Sequence, residues 1–140
     1  MTIENALGPS EGNLHNTYLQ QALALMRAHL DEPLAQAVVA ERVGLSRRQL
    51  ERVFARYLRT SPRKYYLRLR LAAAHHLLLD TTWSVTTIAL EAGFNNFSHF
   101  STCFTKAYGV SPSKARQEQA LTLAAFPSMA GARSTPYSTC

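Results

Sequence analysis

Arg48, Glu51 and Arg52 lie three and one residues apart, and Arg56 follows four later. On a helix these spacings gather the four side chains on one face. A guanidinium offers two parallel donors to the O6 and N7 of guanine, and a carboxylate accepts from cytosine N4. An Arg–Glu–Arg face therefore favours G·C pairs, each good bidentate contact contributing roughly 1–3 kcal/mol of discrimination. The alternative is a solvated face with internal Glu–Arg pairing. Glu51 repels phosphate, so it belongs either near a base edge or beside Arg52, holding it in position.

A second set follows in Asn96-Phe97-Ser98-His99-Phe100-Ser101-Thr102. Phe100 and Phe104 are four apart and mark the inward face. Ser98, His99 and Thr102 are left outward, where they can contact bases or phosphates, and Phe97 can lie against a thymine methyl. This half should discriminate less sharply. Ser46, Arg47, Arg56, Arg63, Lys64, Asn96 and Lys106 are the candidates for phosphate contact. Helix N-termini also bind phosphate through their unpaired N–H groups, which suits Ser46 and Asn96.

The elements that must hold these residues are written twice, about fifty residues apart. Val39 to Pro62 and Ile88 to Pro112 each read as a short helix, a Gly turn and a longer helix ending in Ser-Pro. Ala40 matches Ala89, Gly44 matches Gly93, Leu50 matches Phe100 and Phe54 matches Phe104. This is the helix-turn-helix plan, in which the second helix meets base edges in the major groove. The periodicity predicts an all-α chain of about seven helices. These run over about Leu14–Leu30, Leu34–Val43, Arg47–Leu58, Pro62–Leu79, Val85–Ala92, Asn96–Tyr108 and Pro112–Gln119. Ser46 and Ser84 are expected N-caps. Residues 1–13 read as a linker or frayed start, and 121–140 as a disordered tail. One helix-turn-helix subdomain spans about 14–61 and the other about 80–119. A long linker helix over about 62–79, striped by Leu67, Leu71, Ala74 and Leu78, joins them as a rigid bridge.

Composition agrees with an acidic partner. The 140-residue chain has a net charge of +6 and a pI near 9.7. Ten basic residues and one acid lie between Arg42 and Arg70, whereas Ser84 to Pro112 holds only Glu91 and Lys106. This cluster around a helix-turn-helix favours DNA over the solvated-face reading. The first repeat is the electrostatic anchor and the second relies on neutral polar groups. Cys103 and Cys140 have no disulfide or metal spacing, which fits a reducing cytoplasm. Cys103 reads as a small core residue. His75-His76 has no ligand-type neighbours, and Trp83 is expected to pack between helices. No Gly-rich phosphate loop, His-Glu zinc motif or nucleophile–base constellation is visible, so the chain is not read as an enzyme and no cofactor is expected. No signal peptide or membrane span is visible either.

Ala40, Gly44, Ser46-Arg-Arg-Gln-Leu50, Arg52, Phe54, Ser61-Pro62, Tyr66 and Arg70-Leu71 together resemble the AraC/XylS family of bacterial transcription regulators. So do Ile88-Ala89, Gly93-Phe94, His99-Phe100, Phe104, Gly109 and Ser111-Pro112. The match covers roughly Leu14 to Gln119. It implies seven helices in two helix-turn-helix subdomains, reading successive major grooves. It also implies base contacts from Arg48, Glu51 and Arg52 and from the stretch Phe97 to Thr102. One departure stands out: the family usually has Gly where this chain has Arg59. A left-handed Arg59 would cost of order 1 kcal/mol, offset by another phosphate contact.

The family usually joins this domain to a sensor, so Met1 to Asn13 reads as the cut end of a linker. The segments MRAHLDEPL, SRRQLERVF and SPRKYYLRLRL are similar to the branch whose sensor resembles a class I glutamine amidotransferase or DJ-1/PfpI fold. Members of that branch regulate catabolism of nitrogen compounds such as arginine, glycine betaine or carnitine. The expectation is a sequence-specific DNA-reading domain of an activator, with double-stranded DNA and RNA polymerase as partners and an effector-sensing domain in the parent. The rival readings are a complete effector-independent regulator and a protein-interaction module that contacts RNA polymerase.

Overall fold

The computed structural model describes residues 11–125, over which seven helices and no strand occur. They are α1 (Glu11–Ala28), α2 (Gln36–Val43), α3 (Arg47–Leu58), α4 (Pro62–Asp80), α5 (Val85–Glu91), α6 (Phe97–Tyr108) and α7 (Pro112–Ala125). The all-α, doubled helix-turn-helix plan expected from the sequence is the observed one. Contacts divide the chain into two units, Met1–His29 with Pro33–Tyr66, and Leu30–Glu32 with Leu67–Cys140. The first turn of α4 thus belongs to the first unit and the rest of that helix to the second.

In the first unit α1, α2 and α3 pack on one another. Leu19, Leu23 and Met26 of α1, Val39 and Val43 of α2, and Leu50 and Phe54 of α3 are all buried. Each such side chain contributes roughly 1.5–3 kcal/mol on leaving water. Gly44 closes α2 at φ 86° and donates its N–H to Glu41. Ser46 then opens α3. Its Oγ accepts from the Gln49 N–H, and the Gln49 Oε1 accepts from the Ser46 N–H. This reciprocal capping box satisfies two N–H groups that the helix start would otherwise orphan.

The second unit closes around Leu71, Ala74 and Leu78 of α4, Ile88 and Ala89 of α5, and Phe100 and Phe104 of α6. Leu67 is half-buried against the same core, so the predicted stripe is the packed one. Ser84 caps α5 and Asn96 caps α6, each side chain accepting an N–H three residues on. Both Ser-Pro pairs work alike. Ser61 and Ser111 accept from the Lys64 and Lys114 N–H groups, and Pro62 and Pro112 are buried in the first turn, where no N–H is needed.

The differences from the sequence expectation lie at helix ends. The first helix already begins at Glu11, where a linker to residue 13 was expected. It stops at Ala28, two residues short of Leu30, because the loop after it is held from afar. The Tyr66 hydroxyl donates to the His29 carbonyl and accepts from the Leu34 N–H. The same contact delays α2 to Gln36, with Ala35 extended at ψ 147°. The last helix continues to Ala125 instead of ending near Gln119, since Ala120-Leu121-Thr122-Leu123-Ala124-Ala125 contains no breaker before Pro127. The remainder of the expected tail, residues 126–140, and most of the expected linker, residues 1–10, lie outside the described residues. Trp83, expected between helices, is instead 46% exposed. Cys103 is buried in α6 as expected.

Candidate nucleic-acid interface

Helix α3 buries Leu50, Val53 and Phe54 and leaves Arg47, Arg48, Glu51, Arg52 and Arg56 exposed. Spacings of three and four put Arg48, Glu51, Arg52 and Arg56 on the side opposite the buried stripe. The capping box fixes the start of this helix, so its N-terminal turn is preorganised. Ser46 is exposed, and its hydroxyl can still donate outward while Oγ accepts from Gln49. Arg56 lies over the Tyr57 ring at 5.6 Å, which steadies its guanidinium. Arg63 and Lys64 are exposed in the first turn of α4.

Helix α6 buries Phe100, Cys103, Phe104 and Ala107. Asn96, Ser98, His99, Thr102 and Lys106 are exposed, and Phe97 is 46% exposed with its ring 6.3 Å from Phe100. Ser98, Thr102 and Lys106 follow one another at intervals of four, and His99 lies three before Thr102. His99 is held twice. Its N–H donates to Asn96 Oδ1 at 3.0 Å, and its ring meets Phe94 edge-on at 5.6 Å. Asn96 keeps its NH2 group for an outer acceptor.

All fourteen residues nominated from the sequence are therefore on the surface of α3, α4 and α6 or at their N-caps, with Arg56 and Lys106 in the last turns of α3 and α6. Two basic residues of the first cluster behave differently from an anchor. Arg70 is half-buried and donates from Nε to the Ala92 carbonyl at 2.9 Å and from Nη2 to the Gly93 carbonyl at 2.7 Å. Arg68 is also half-buried. Arg59 is exposed at the C-cap of α3 in the left-handed region, φ 56° and ψ 32°.

Sequence reasoning passed over Gln49. It is exposed and occupies the place in the first repeat that His99 occupies in the second. Aligning the repeats position by position finds it, and the Ser-x-x-Gln spacing finds its capping role. Arg116 was also passed over. It donates to the carbonyls of Leu78, Thr81 and Trp83 and so closes the C-terminal end of α4. Among the described residues no group of three or more His, Cys, Asp or Glu is placed to hold a metal ion. No helix there is long and apolar enough to cross a membrane.

A family profile described as a helix-turn-helix domain matches residues 39–118. The transcriptional regulator GbdR of Pseudomonas aeruginosa is 46% identical over 103 residues, covering 74% of this chain and 28% of that protein. The regulator ArgR of the same organism is 40% identical over 117 residues, covering 84% of this chain and 34% of ArgR. The chain thus spans about a third or less of the length of these relatives. Among solved structures, a transcriptional regulator with an AraC-type DNA-binding domain from Chromobacterium violaceum is 43% identical. It has a TM-score of 0.72 and covers 75% of this chain and 94% of that one. The DNA-binding domain of AdpA, solved with a target DNA, is 27% identical with a TM-score of 0.69, covering 78% and 96%.

Proposed function

From the membership of this chain in the AraC/XylS family of helix-turn-helix proteins, we propose that it reads double-stranded DNA through α3 and α6, one helix in each of two successive major grooves. The observation that carries this reading is the repeated arrangement of a capped helix with one buried and one exposed face. Arg48, Glu51 and Arg52 are the base-reading residues of the first groove. Phe97, Ser98, His99 and Thr102 are those of the second. Ser46, Arg47, Arg56, Arg63, Lys64, Asn96 and Lys106 set the protein on the phosphates. The exposed, preorganised start of each helix supports this division, because base contacts come from the N-terminal part of a reading helix.

In the parent protein this domain serves a transcription activator of catabolic genes that recruits RNA polymerase and answers to an effector-sensing domain. Relatives named as regulators support that role, and so does RhaS, named as a transcriptional activator, at 39% identity over 108 residues. The similarity to GbdR and ArgR supports the branch suggested by the sequence.

Selection from a random duplex library tests the reading, with the winner's affinity measured at two salt concentrations. Two enriched clusters about 10 base pairs apart are the expected result. Salt-sensitive binding without an enriched sequence would remove the base-reading assignments and leave a nonspecific DNA binder.

A further inference from the structure

We propose that Arg70 is a positioning residue for base reading by α6, acting through Phe94 on the imidazole of His99. The inference rests on the assignment of His99 to the DNA, made above. Arg70 lies within the basic run that composition alone gives to the phosphates. Its guanidinium is instead turned onto the turn of the second helix-turn-helix. It donates to the Ala92 and Gly93 carbonyls at 2.9 and 2.7 Å. Its Cζ also lies 4.2 Å from the centroid of the Phe94 ring.

Three consecutive residues of the turn are thus fixed by one side chain. The planar fork matches two neighbouring acceptors and a ring face at once, which an ammonium cannot do. Phe94 is fully enclosed, 2% exposed, and touches two residues of α6. Its ring meets Phe100 at 5.2 Å, inter-ring angle 60°, and His99 at 5.6 Å, 61°. Phe100 belongs to the core and anchors the helix. His99 is exposed, and the edge contact with the enclosed Phe94 limits its ring orientation from the inner side. A reading imidazole donates or accepts from one ring nitrogen along one direction, and a ring that swings loses that aim. Arg70 therefore fixes Phe94, and Phe94 fixes the direction of His99.

The test uses the full chain and its selected duplex. Competition binding gives the preference for the correct base over the other three at each position of the second cluster. The proteins are wild type, Arg70→Met, Arg70→Lys, Phe94→Leu, His99→Ala and the double variant Arg70→Met/His99→Ala. The ring-proton shifts of His99 are followed by NMR in the protein without DNA. His99→Ala should lose about fivefold preference at one position, the low end for a single base contact. Arg70→Met and Phe94→Leu should lose a similar factor at that same position, with the first cluster unchanged. The double variant should be no worse than His99→Ala. Arg70→Lys should resemble Arg70→Met, because it keeps the charge and loses the fork. The His99 ring shifts should move in Arg70→Met and Phe94→Leu.

Full additivity in the double variant would overturn the proposal while leaving His99 a base contact. So would Arg70→Lys behaving as wild type, which would make Arg70 a simple charge. Unmoved His99 shifts in Arg70→Met would overturn it without any DNA measurement. No change of preference in His99→Ala would remove the reading of His99 itself, and the proposal with it.

Discussion

Arg59→Gly should stabilise the protein. Arg59 is the only non-glycine residue at positive φ among the described residues, at φ 56° and ψ 32°. It ends α3 as Gly109 ends α6 at φ 82°. A side chain in this region brings Cβ close to the following carbonyl oxygen and costs roughly 1–2 kcal/mol. Glycine removes that cost but brings a more flexible unfolded chain, about 0.5–1 kcal/mol in the other direction. The net expectation is a gain of roughly 0.5–1 kcal/mol, or about 2–8 °C in Tm for a domain of this size. The capping bond from the Arg59 N–H to the Ala55 carbonyl is a backbone bond and survives the change. Arg59→Ala is the control. It keeps Cβ and its strain while deleting the charge, so its stability should stay within about 0.5 kcal/mol of the wild type. Urea unfolding and thermal melting followed by circular dichroism measure both variants. If Arg59→Gly is no more stable than Arg59→Ala, the left-handed conformation carries no strain. DNA binding separates the other half of the idea. If Arg59 contacts a phosphate, both variants lose affinity equally, and the slope of log K against log salt falls by about 0.9.

Other substitutions address the interface and the second unit. Arg52→Ala should relax base preference at one position of the first cluster by roughly 1–3 kcal/mol; uniform weakening on all sequences, seen in competition binding, would make it a phosphate contact instead. Replacing Arg47, Arg63 and Lys64 together by Gln should lower the salt slope by about 2.7 with the selected consensus unchanged, and a shifted consensus would place at least one of them on the bases. His75 is half-buried and stacks on Tyr108 at 4.6 Å, and burial, then the neighbouring His76, lowers its pKa from the ordinary 6.5. The folded state therefore binds this proton less readily than the unfolded one. The corresponding stability is full above pH 6.5 and is lost as pH falls through the depressed folded value. Urea titrations from pH 7.5 downward should show this loss in the wild type and less of it in His75→Phe.

What the sequence made legible was local. Ser46, Ser84, Asn96 and the two Ser-Pro pairs announce helix starts because a cap and the N–H it satisfies are three residues apart. The buried stripes of α3, α4 and α6 follow the helical period, and the exposed candidates are their complement. The misread ends have distant causes. The stop of α1 and the late start of α2 depend on the hydroxyl of Tyr66, 37 residues from His29. Arg70 and Arg116 carry the same charge in the sequence as the phosphate candidates. Only the fold brings backbone carbonyls 22 and 38 residues away within their reach. Charge counting therefore overestimates the anchor, since the Arg70 guanidinium is already engaged by backbone carbonyls.

The two helices proposed to read DNA share a plan but not a chemistry, and the fold of the second unit answers that difference. At matching positions Arg48, Arg52 and Arg56 face Ser98, Thr102 and Lys106 in the alignment of the repeats. A long arginine reaches a base over a range of helix placements by changing rotamer, at the cost of ordering a flexible chain. Serine, threonine and histidine have one or two torsions and little reach. They can form a base contact only where the backbone and ring directions are already right. The turn before α6 accordingly carries the Arg70 fork on two carbonyls and a ring, and Phe94 passes that restraint to His99 and Phe100. Short reading groups and a tightly held turn belong together: loosening the turn costs a short side chain its contact, whereas a long one can follow.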